Sequence, residues 1–245
     1  MNPIVAIPAR LRANRLPGKP LADIHGTAMI VHVWRRAEAA AIGPVIVACG
    51  DDEIAAAIAA AGGRAVMTDP DLASGSDRVH AAVEAIDPAG AHDVVVNIQG
   101  DLPTLDPAVA KAVLRPLADA AVDIATLAAP LAAGELDNPN VVKAVLAADG
   151  DGEVRRALTF TRRPPADAGA LFHHIGIYAF RRAALARFVA LPPSANERRE
   201  KLEQLRALDD GMRIDVALVD TVPFGVDTPA DLDRARALLA PGTTT

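Results

Sequence analysis

Apolar positions along the first half of the chain follow two alternating patterns. Short β-branched runs bounded by Pro, Gly or Asp predict strands at residues 4–8, 45–49, 65–68 and 94–98. Apolar residues at helical spacing predict helices at residues 28–41, 51–61, 76–86 and 106–118. Alternation of strands and helices favours a parallel sheet that helices cover on both faces.

The second half of the chain is less regular and richer in strands. The pattern predicts strands at residues 123–128, 141–147, 158–161, 175–180 and 214–219, and helices at residues 182–190, 197–208 and 230–239. We expect a mobile loop at residues 163–169 and a frayed tail at residues 241–245. Because there is no repeat and no long linker, we predict one α/β domain over residues 1–245, with an inserted strand-rich, mixed-sheet portion at about residues 123–190.

Composition and charge narrow the class of protein. Of the 245 residues, 51% are hydrophobic, which is enough for a sizeable core and argues against a disordered chain. The formal net charge of −6 disfavours nucleic-acid binding. The longest stretch without a charged residue, at positions 39–50, is too short for membrane insertion, which needs roughly 20 residues.

The compartment is indicated by the single cysteine and by the first residues. Cys49 alone excludes an internal disulfide framework and is consistent with a reducing compartment. Met1 leads straight into an apolar run, without a basic segment or a cleavage site for export. We therefore expect a cytoplasmic protein.

A stiff basic segment follows the first predicted strand. Its four cations, within ten residues of an otherwise acidic chain, are Arg10, Arg12, Arg15 and Lys19. Ligands of open α/β sheets bind at the carboxyl ends of strands, and Arg and Lys there suit a polyphosphate. The segment is not a phosphate-binding loop of the Walker type, because Pro20 follows Lys19. A solvated basic loop is the alternative interpretation.

Two carboxylates stand where a metal ion would be useful. Asp101 follows the central predicted strand, where it would suit Mg²⁺, although it would also suit a turn cap. Asp227 precedes a helix start in which Thr228 is the predicted N-cap, Pro229 the first residue and Asp231 the partner in a capping box. Since helix initiation does not need Asp227, this side chain is available for another role.

Three smaller clusters have simple structural interpretations. Ser74 opens a predicted helix in which Arg78 would be exposed. His173 and His174 are adjacent on a predicted strand, so their side chains point to opposite faces and a shared zinc ion is disfavoured. Residues 197–206 are densely charged and predict a solvated helix. The sequence contains no Ser-His-Asp or Cys-His signature of a protein nucleophile.

Taken together, eight segments in one order along nearly the whole chain resemble the 3-deoxy-manno-octulosonate cytidylyltransferase (CMP-Kdo synthetase) family. They are residues 7–21, 29–33, 74–78, 96–103, 138–143, 174–178, 202–206 and 225–232. The resemblance implies a nucleotide-diphosphosugar-transferase-like (Rossmann-like) α/β fold and a homodimer, with dimerisation and the sugar site in the inserted portion. It also implies the reaction CTP + Kdo → CMP-Kdo + pyrophosphate, which activates Kdo for lipopolysaccharide biosynthesis.

The resemblance also assigns residues to roles. It places phosphate binding on Arg10, Arg15 and Lys19, and cytidine contacts on Ala9, Arg10, Ser74, Gly75, Arg78 and Gln99. The two Mg²⁺ carboxylates fall on Asp101 and Asp227, and the Kdo contacts on Gln99, His174, Tyr178, Glu203 and Gln204. Arg15, Lys19, Asp101 and Asp227 are then the expected catalytic set.

The expected mechanism follows from charge. Two anions must meet, so Arg15 and Lys19 together with Mg²⁺ would neutralise the triphosphate and the departing pyrophosphate. Two alternatives stay open: a cytidylyltransferase for another ulosonic acid, such as an amino-Kdo or a sialic-acid-like sugar, and a catalytically silent nucleotide-sugar-binding protein. A Rossmann dehydrogenase is disfavoured because the first predicted turn lacks spaced glycines.

Overall fold

The computed structural model describes residues 1–12, 16–148, 152–165 and 168–240. The chain forms two compact units, here called unit 1 (Met1–Lys111 and Pro223–Thr245) and unit 2 (Ala112–Val222). Arg15, residues 166–167 of the predicted loop and the predicted tail at 241–245 lie outside the described residues. The single domain with an insertion at about residues 123–190 stays a prediction.

Unit 1 contains a sheet of four parallel strands and a short hairpin. The strands are β1 (Pro3–Ala9), β2 (Asp23–Ile24), β3 (Thr27–Ala28), β4 (Val45–Cys49), β5 (Arg64–Met67) and β6 (Val94–Asn97). The parallel strands lie in the order β5-β4-β1-β6, and β2 pairs with β3 in antiparallel fashion. All four sheet strands confirm the prediction, with ends that differ by no more than one residue.

Burial along these strands shows that both faces of the sheet are covered. Every residue of β4 and of β6 is buried. Since successive side chains of a strand point to opposite faces, neither face is open to water. Because both faces are buried, successive residues of these strands are apolar, which explains the near-continuous apolar runs in the sequence.

The helices of unit 1 also follow the predicted pattern. They are α1 (Met29–Ala39), α2 (Asp52–Ala60), α3 (Gly75–Ile86), α4 (Pro107–Ala112) and the last helix, α8 (Pro229–Leu238). The final residue of α4 belongs to unit 2. The single helix predicted at 106–118 is wrong, because α4 is followed by a separate 3₁₀ turn at Arg115–Ala118. Pro116 lacks the amide hydrogen that a residue inside a helix donates, so the helix does not continue through it.

The hairpin of β2 and β3 is absent from the prediction. Two residues per strand are too few to show an alternating pattern. The turn between them places His25 at φ 51° and Gly26 at φ 76°, the left-handed geometry that tight hairpins require. The hairpin brings buried Ile24 into a core with Met29, Val226 and Leu232.

Unit 2 contains a mixed sheet. Its strands are β7 (Ile124–Pro130), β8 (Lys143–Leu146), β9 (Val154–Thr161), β10 (Ala170–Arg181) and β11 (Ile214–Leu218). They lie in the order β10-β7-β11-β9-β8, and β8 also pairs with β10. Among these described strands, only β7 and β11 are parallel neighbours. The α/β fold with parallel strands in one part and a mixed sheet in the other confirms the predicted fold class.

The described part of unit 2 also contains the helices α5 (Arg182–Ala190), α6 (Ala195–Glu200) and α7 (Leu205–Asp209). The continuous helix predicted at 197–208 is wrong, because Lys201 at φ 55° and ψ 47° ends α6. Arg206 reaches back across the break to Glu197 with bonds of 2.8 and 2.6 Å. The charged segment is thus folded on itself rather than solvated throughout.

Buried Lys143 ties two segments of unit 2 together. Its side chain is fully buried, and its ammonium donates to the carbonyl oxygens of Asn138 at 2.7 Å and Arg162 at 3.0 Å. Burial lowers the pKa of this amine. No helix among the described residues is long and apolar enough to cross a membrane.

Two alanines near the end of α1 offer a matched test of the backbone. Ala41 is exposed at φ 49°, where a Cβ is strained, whereas exposed Ala39 is helical. We expect Ala41→Gly to raise the free energy of unfolding by about 0.5–1 kcal/mol and Ala39→Gly to lower it by about the same amount. Urea denaturation of both variants checks this, and equal effects of the two substitutions would contradict it.

Candidate active site

Unit 1 contains a cleft of about 410 Å³ where β1 and β6 end. A volume of this size is typical of small-molecule sites. The structure brings nine of the predicted nucleotide and metal residues together in its wall: Ala9, Arg10, Lys19, Ser74, Gly75, Arg78, Gln99, Asp101 and Asp227. Arg15 lies outside the described residues.

The floor of the cleft depends on a close approach of two backbone segments. A Cβ at Gly100 would lie 2.8 Å from the carbonyl oxygen of Pro8, closer than real Cβ atoms come. The neighbouring Ile98 amide donates to the Ala6 carbonyl at 3.2 Å. The turn that carries Gln99 and Asp101 therefore lies directly against the end of β1.

Lys19 lies between the two candidate metal carboxylates. Its Nζ is 2.9 Å from Asp101 Oδ2 and 3.1 Å from Asp227 Oδ1. Gly18, at φ 68°, precedes the 3₁₀ turn Lys19–Leu21, and Pro20 is buried in that turn. Burial by itself lowers the pKa of Lys19, but the charge of Asp101 and hydrogen bonds to both carboxylates outweigh it, so the pKa is raised.

The position of Asp227 is set by the start of α8. Thr228 and Asp231 form the predicted capping box, in which Thr228 Oγ1 accepts from the Asp231 amide at 3.2 Å. Buried Val226 donates from its amide to the Asp101 carbonyl at 2.9 Å, which holds the two acidic segments together. The Asp227 carboxylate thus contacts Lys19 while the cap is made by its neighbours.

The chemistry of this donor set fits a magnesium ion. Mg²⁺ takes carboxylate oxygens from one or two residues and completes its shell with water and substrate phosphates. Asp101 and Asp227 supply hard oxygen donors that already share one cation, the Lys19 ammonium. Within the described ranges, no cluster of three or more His, Cys, Asp or Glu residues could hold a metal ion. An ion at this pair would complete its shell with water or substrate oxygens.

The Arg78 side chain is buried, so the prediction that it is exposed is wrong. It is only 2% exposed, because its guanidinium packs between β4 and β5 at Gly50 and Thr68. Burial lowers the pKa of Arg78, and the nearby charge of Arg10 lowers it further. Ser74 caps α3 as predicted, in a capping box with Asp77.

The basic segment is anchored at its beginning. The Leu11 amide donates to Asp51 Oδ2 at 2.9 Å, directly after β4. Arg12 lies 3.4 Å from Asp71, but both side chains are largely exposed, so water screens this ion pair. Arg10 is exposed and lines the cleft. The anchor at Asp51 directs this segment towards the cleft.

The predicted sugar residues, apart from Gln99, lie in unit 2. His174 is buried, with Nε2 3.0 Å from Thr126 Oγ1. Because the Thr126 hydroxyl donates to the carbonyl of Ile175 or Ile177, it accepts the hydrogen on Nε2. Burial, with a small contribution from the charge of His173, lowers the pKa of His174 to about 3. The ring is thus neutral at physiological pH.

Aromatic side chains pack beside His174, and an acidic side chain lies near one of them, Tyr178. The Tyr178 ring centroid lies 5.6 Å from that of His174. Burial and the charge of Glu203 raise the pKa of Tyr178. Gln204 is buried at the start of α7, and Arg206 lies 3.7 Å from Glu203. His173 instead faces Glu135 at 3.0 Å, so the two adjacent histidines contact different partners.

Sequence reasoning missed three residues that position the cleft. Asp51 was assigned only to a helix start, Thr68 only to a strand end, and Gly100 had no assignment. Their roles depend on contacts with Leu11, Arg78 and Pro8, which are distant in sequence. Only the glycine directly before Asp101 offered a signal, since glycine permits close backbone approach.

Comparison with known proteins identifies the family of the chain. The model of the family described as Cytidylyltransferase matches residues 4–214. The 3-deoxy-manno-octulosonate cytidylyltransferase of Methylobacterium radiotolerans is 65% identical, over 97% of each chain. That of Rhodospirillum centenum is 65% identical over 99% of this chain and 95% of the relative, and that of Paramagnetospirillum magneticum is 61% identical over 98% of each.

Solved structures agree with the sequence comparison. A structure of CMP:2-keto-3-deoxy-manno-octonic acid synthetase complexed with CTP is 38% identical to this chain, covers 98% of it and 99% of itself, and has a TM-score of 0.88. A nucleotidyl transferase from Methanothermobacter, 17% identical with a TM-score of 0.58 and 96% coverage of each chain, shares the fold. The chain belongs to the cytidylyltransferase family and, within it, to the 3-deoxy-manno-octulosonate cytidylyltransferases.

Proposed function

We propose that this protein transfers CMP from CTP to the anomeric hydroxyl of Kdo, giving CMP-Kdo and pyrophosphate for lipopolysaccharide biosynthesis. The observation that carries the proposal is the cleft of unit 1, in which Lys19 joins Asp101 and Asp227 beside the residues predicted to bind cytidine. The similar solved structure was complexed with CTP, and the relatives are named for the 3-deoxy-manno-octulosonate substrate.

The reaction needs positive charge more than a protein nucleophile. The anomeric hydroxyl gives up its proton to solvent, and its oxygen forms a bond to the α-phosphorus. The bond from that phosphorus to the bridging oxygen breaks, with its electron pair leaving on pyrophosphate. Arg10, Arg12 and Lys19 line the cleft and would bind the triphosphate oxygens. We assign Arg15 to the same task from its place in the basic segment.

Asp101 and Asp227 are proposed to hold Mg²⁺ together with the triphosphate. When bound, the ion would supply positive charge at the phosphates and acidify a coordinated hydroxyl. Lys19 would then exchange its carboxylate partners for phosphate oxygens, because its flexible stem lets the ammonium turn. Ala9, Ser74, Gly75, Arg78 and Gln99 would select the base.

Within unit 2, the acid sugar is assigned to His174, Tyr178, Glu203 and Gln204. Neutral His174 and the protonated Tyr178 hydroxyl can form hydrogen bonds to sugar hydroxyls without adding charge. Glu203 is an acceptor, so it suits a sugar hydroxyl and repels the sugar carboxylate. This arrangement would favour one orientation of the substrate.

We further propose that the enzyme acts in the cytoplasm as a homodimer. Buried, unpaired Cys49 agrees with a reducing compartment. Leu136, Leu158 and Val222 of unit 2 are large exposed apolar side chains, and any of them that a second copy covered would add to the burial of apolar surface. Light scattering of the purified protein would measure the mass of the assembly.

Substrate choice is tested by pyrophosphate release with Mg²⁺, with each nucleoside triphosphate combined with a panel of acid sugars. We expect turnover with CTP and Kdo to exceed that of every other pair, because base contacts and sugar contacts are both specific. Equal turnover with CTP, UTP and ATP would contradict base selection. Preference for an amino-Kdo or a sialic-acid-like sugar would move the enzyme to that ulosonic acid, and no turnover with any pair would leave a silent binding protein.

Asp227→Asn tests whether Asp227 is a metal ligand or serves only the start of the helix. As a ligand, the carboxylate supplies charge that an amide lacks, so we expect turnover at low Mg²⁺ to fall roughly 10²-fold and to recover partly at high Mg²⁺. Stability should fall by no more than about 0.3–1 kcal/mol. A Mg²⁺ titration of the initial rate checks this.

The same titration includes Asp101→Asn and the double variant as its controls. Asp101→Asn should behave like Asp227→Asn, and the double variant should lose less than the sum of the two losses, since one ion is shared. Additive losses with an unchanged Mg²⁺ dependence would mean that the carboxylates do not act on a common metal.

Lys19→Met tests whether the ammonium competes with a metal ion. Without Lys19 the two carboxylates have lost their shared cation, so Mn²⁺ without nucleotide should bind about tenfold more tightly by calorimetry. Turnover should nevertheless fall roughly 10²–10³-fold, because a charge on the triphosphate is lost. Lys111→Met removes an exposed lysine outside the cleft wall and should change neither quantity. Weaker Mn²⁺ binding by Lys19→Met would refute the competition.

A further inference from the structure

Arg78 is a buried guanidinium that forms no ion pair with any carboxylate of the described residues. Its Nη1 donates to the hydroxyl of Thr68, and its Nη2 donates to the Pro70 carbonyl at 3.1 Å. Both acceptors are neutral, and the nearby charges are mixed, because Arg10 lowers the pKa of Arg78 whereas Asp51 and Asp69 raise it. A buried cation in such a wall favours a ligand that presents hydrogen-bond acceptors.

Thr68 is held so that its hydroxyl can only accept from Arg78. The Thr68 amide donates to the Cys49 carbonyl at 2.8 Å, and Thr68 Oγ1 donates its one hydrogen to the same oxygen at 3.1 Å. The lone pairs of Oγ1 are left for the guanidinium. This double attachment to β4 fixes the acceptor in place.

Gly50 closes the guanidinium in from the other side. A Cβ at Gly50 would lie 2.9 Å from Arg78 Nη1 and 2.7 Å from the Pro70 Cα. The guanidinium therefore lies against bare backbone, between the ends of β4 and β5. Thr68 and Pro70 fix its plane through the two hydrogen bonds that they accept.

We propose that Thr68 is a positioning residue that sets the selectivity for cytosine by fixing the plane of the Arg78 guanidinium. The proposal rests on the proposed function, in which CTP occupies the cleft. Cytosine presents two adjacent acceptors, O2 and N3, whereas uracil presents the acceptor O2 beside an N3–H donor. A guanidinium held in one plane can meet two acceptors at once, whereas a mobile one would contact O2, which both bases share.

The test compares variants that remove or keep the hydroxyl. Thr68→Val keeps the shape of the side chain and loses both hydrogen bonds, and Thr68→Ala is the second variant if valine impairs folding. We expect either to weaken CTP binding about 10–100-fold by calorimetry without acid sugar, while UTP binding changes less than about threefold. The KM for CTP should rise by a similar factor, and kcat should change little.

Two controls separate positioning from a structural role. Thr68→Ser keeps the acceptor and should bind CTP within about threefold of the wild type. Thr104→Val loses the hydroxyl of another half-buried threonine of unit 1 and should leave the preference for CTP over UTP unchanged. A Thr104 variant that shifts this preference as much as the Thr68 variants would overturn the proposal.

The remaining outcomes are also decisive. Wild-type binding of CTP by the Thr68 variants, or equal weakening of CTP and UTP, would overturn the role of Thr68 while leaving the proposed function standing. A wild-type protein that neither binds CTP nor releases pyrophosphate would overturn the proposed function itself, and this inference with it.

Discussion

The chemistry of unit 1 depends on the close contact between the end of β1 and the turn at residues 99–101. Gly100 lies so near the Pro8 carbonyl that no side chain fits there. The same turn carries Asp101, whose carbonyl accepts from the buried Val226 amide and thereby fixes the segment that leads to Asp227. Backbone contacts thus place the floor of the cleft, the pair Asp101 and Asp227, and the start of the final helix. Because the β1 and β6 strands are buried, these contacts are set by the core and need no ligand to form.

The elements with long periodic patterns were predictable from the sequence. Strands β1, β4, β5 and β6 and helices α1 to α3 follow local spacing, and burial of both sheet faces keeps that spacing intact. The break between α6 and α7 was not predictable, because Lys201 is an ordinary helix former that adopts a left-handed conformation here. Tertiary bonds such as Arg206 to Glu197 hold that break, and no local pattern encodes them.

The candidate site also has features that were predictable from the sequence and features that were not. Charged residues at strand ends pointed to Lys19, Asp101 and Asp227, since position and residue type suffice for such an expectation. The burial of Arg78 was not foreseeable, because its environment is created by Thr68 and Gly50 from two other strand ends. Sequence thus indicated which groups carry charge, and the fold determines which of them are immobilised. Immobilised donors are what selectivity requires.

The trio of Lys19, Asp101 and Asp227 has one more consequence. As it stands, one ammonium faces two carboxylates, so the formal charge of the trio is negative. A divalent cation at the same carboxylates makes the sum positive, so the sign of the local electrostatic potential reverses. A metal-free triphosphate would meet repulsion from the trio, whereas a metal ion carried on the triphosphate would itself be attracted to the two carboxylates. The trio taken by itself would therefore favour the metal complex of a triphosphate over the free anion.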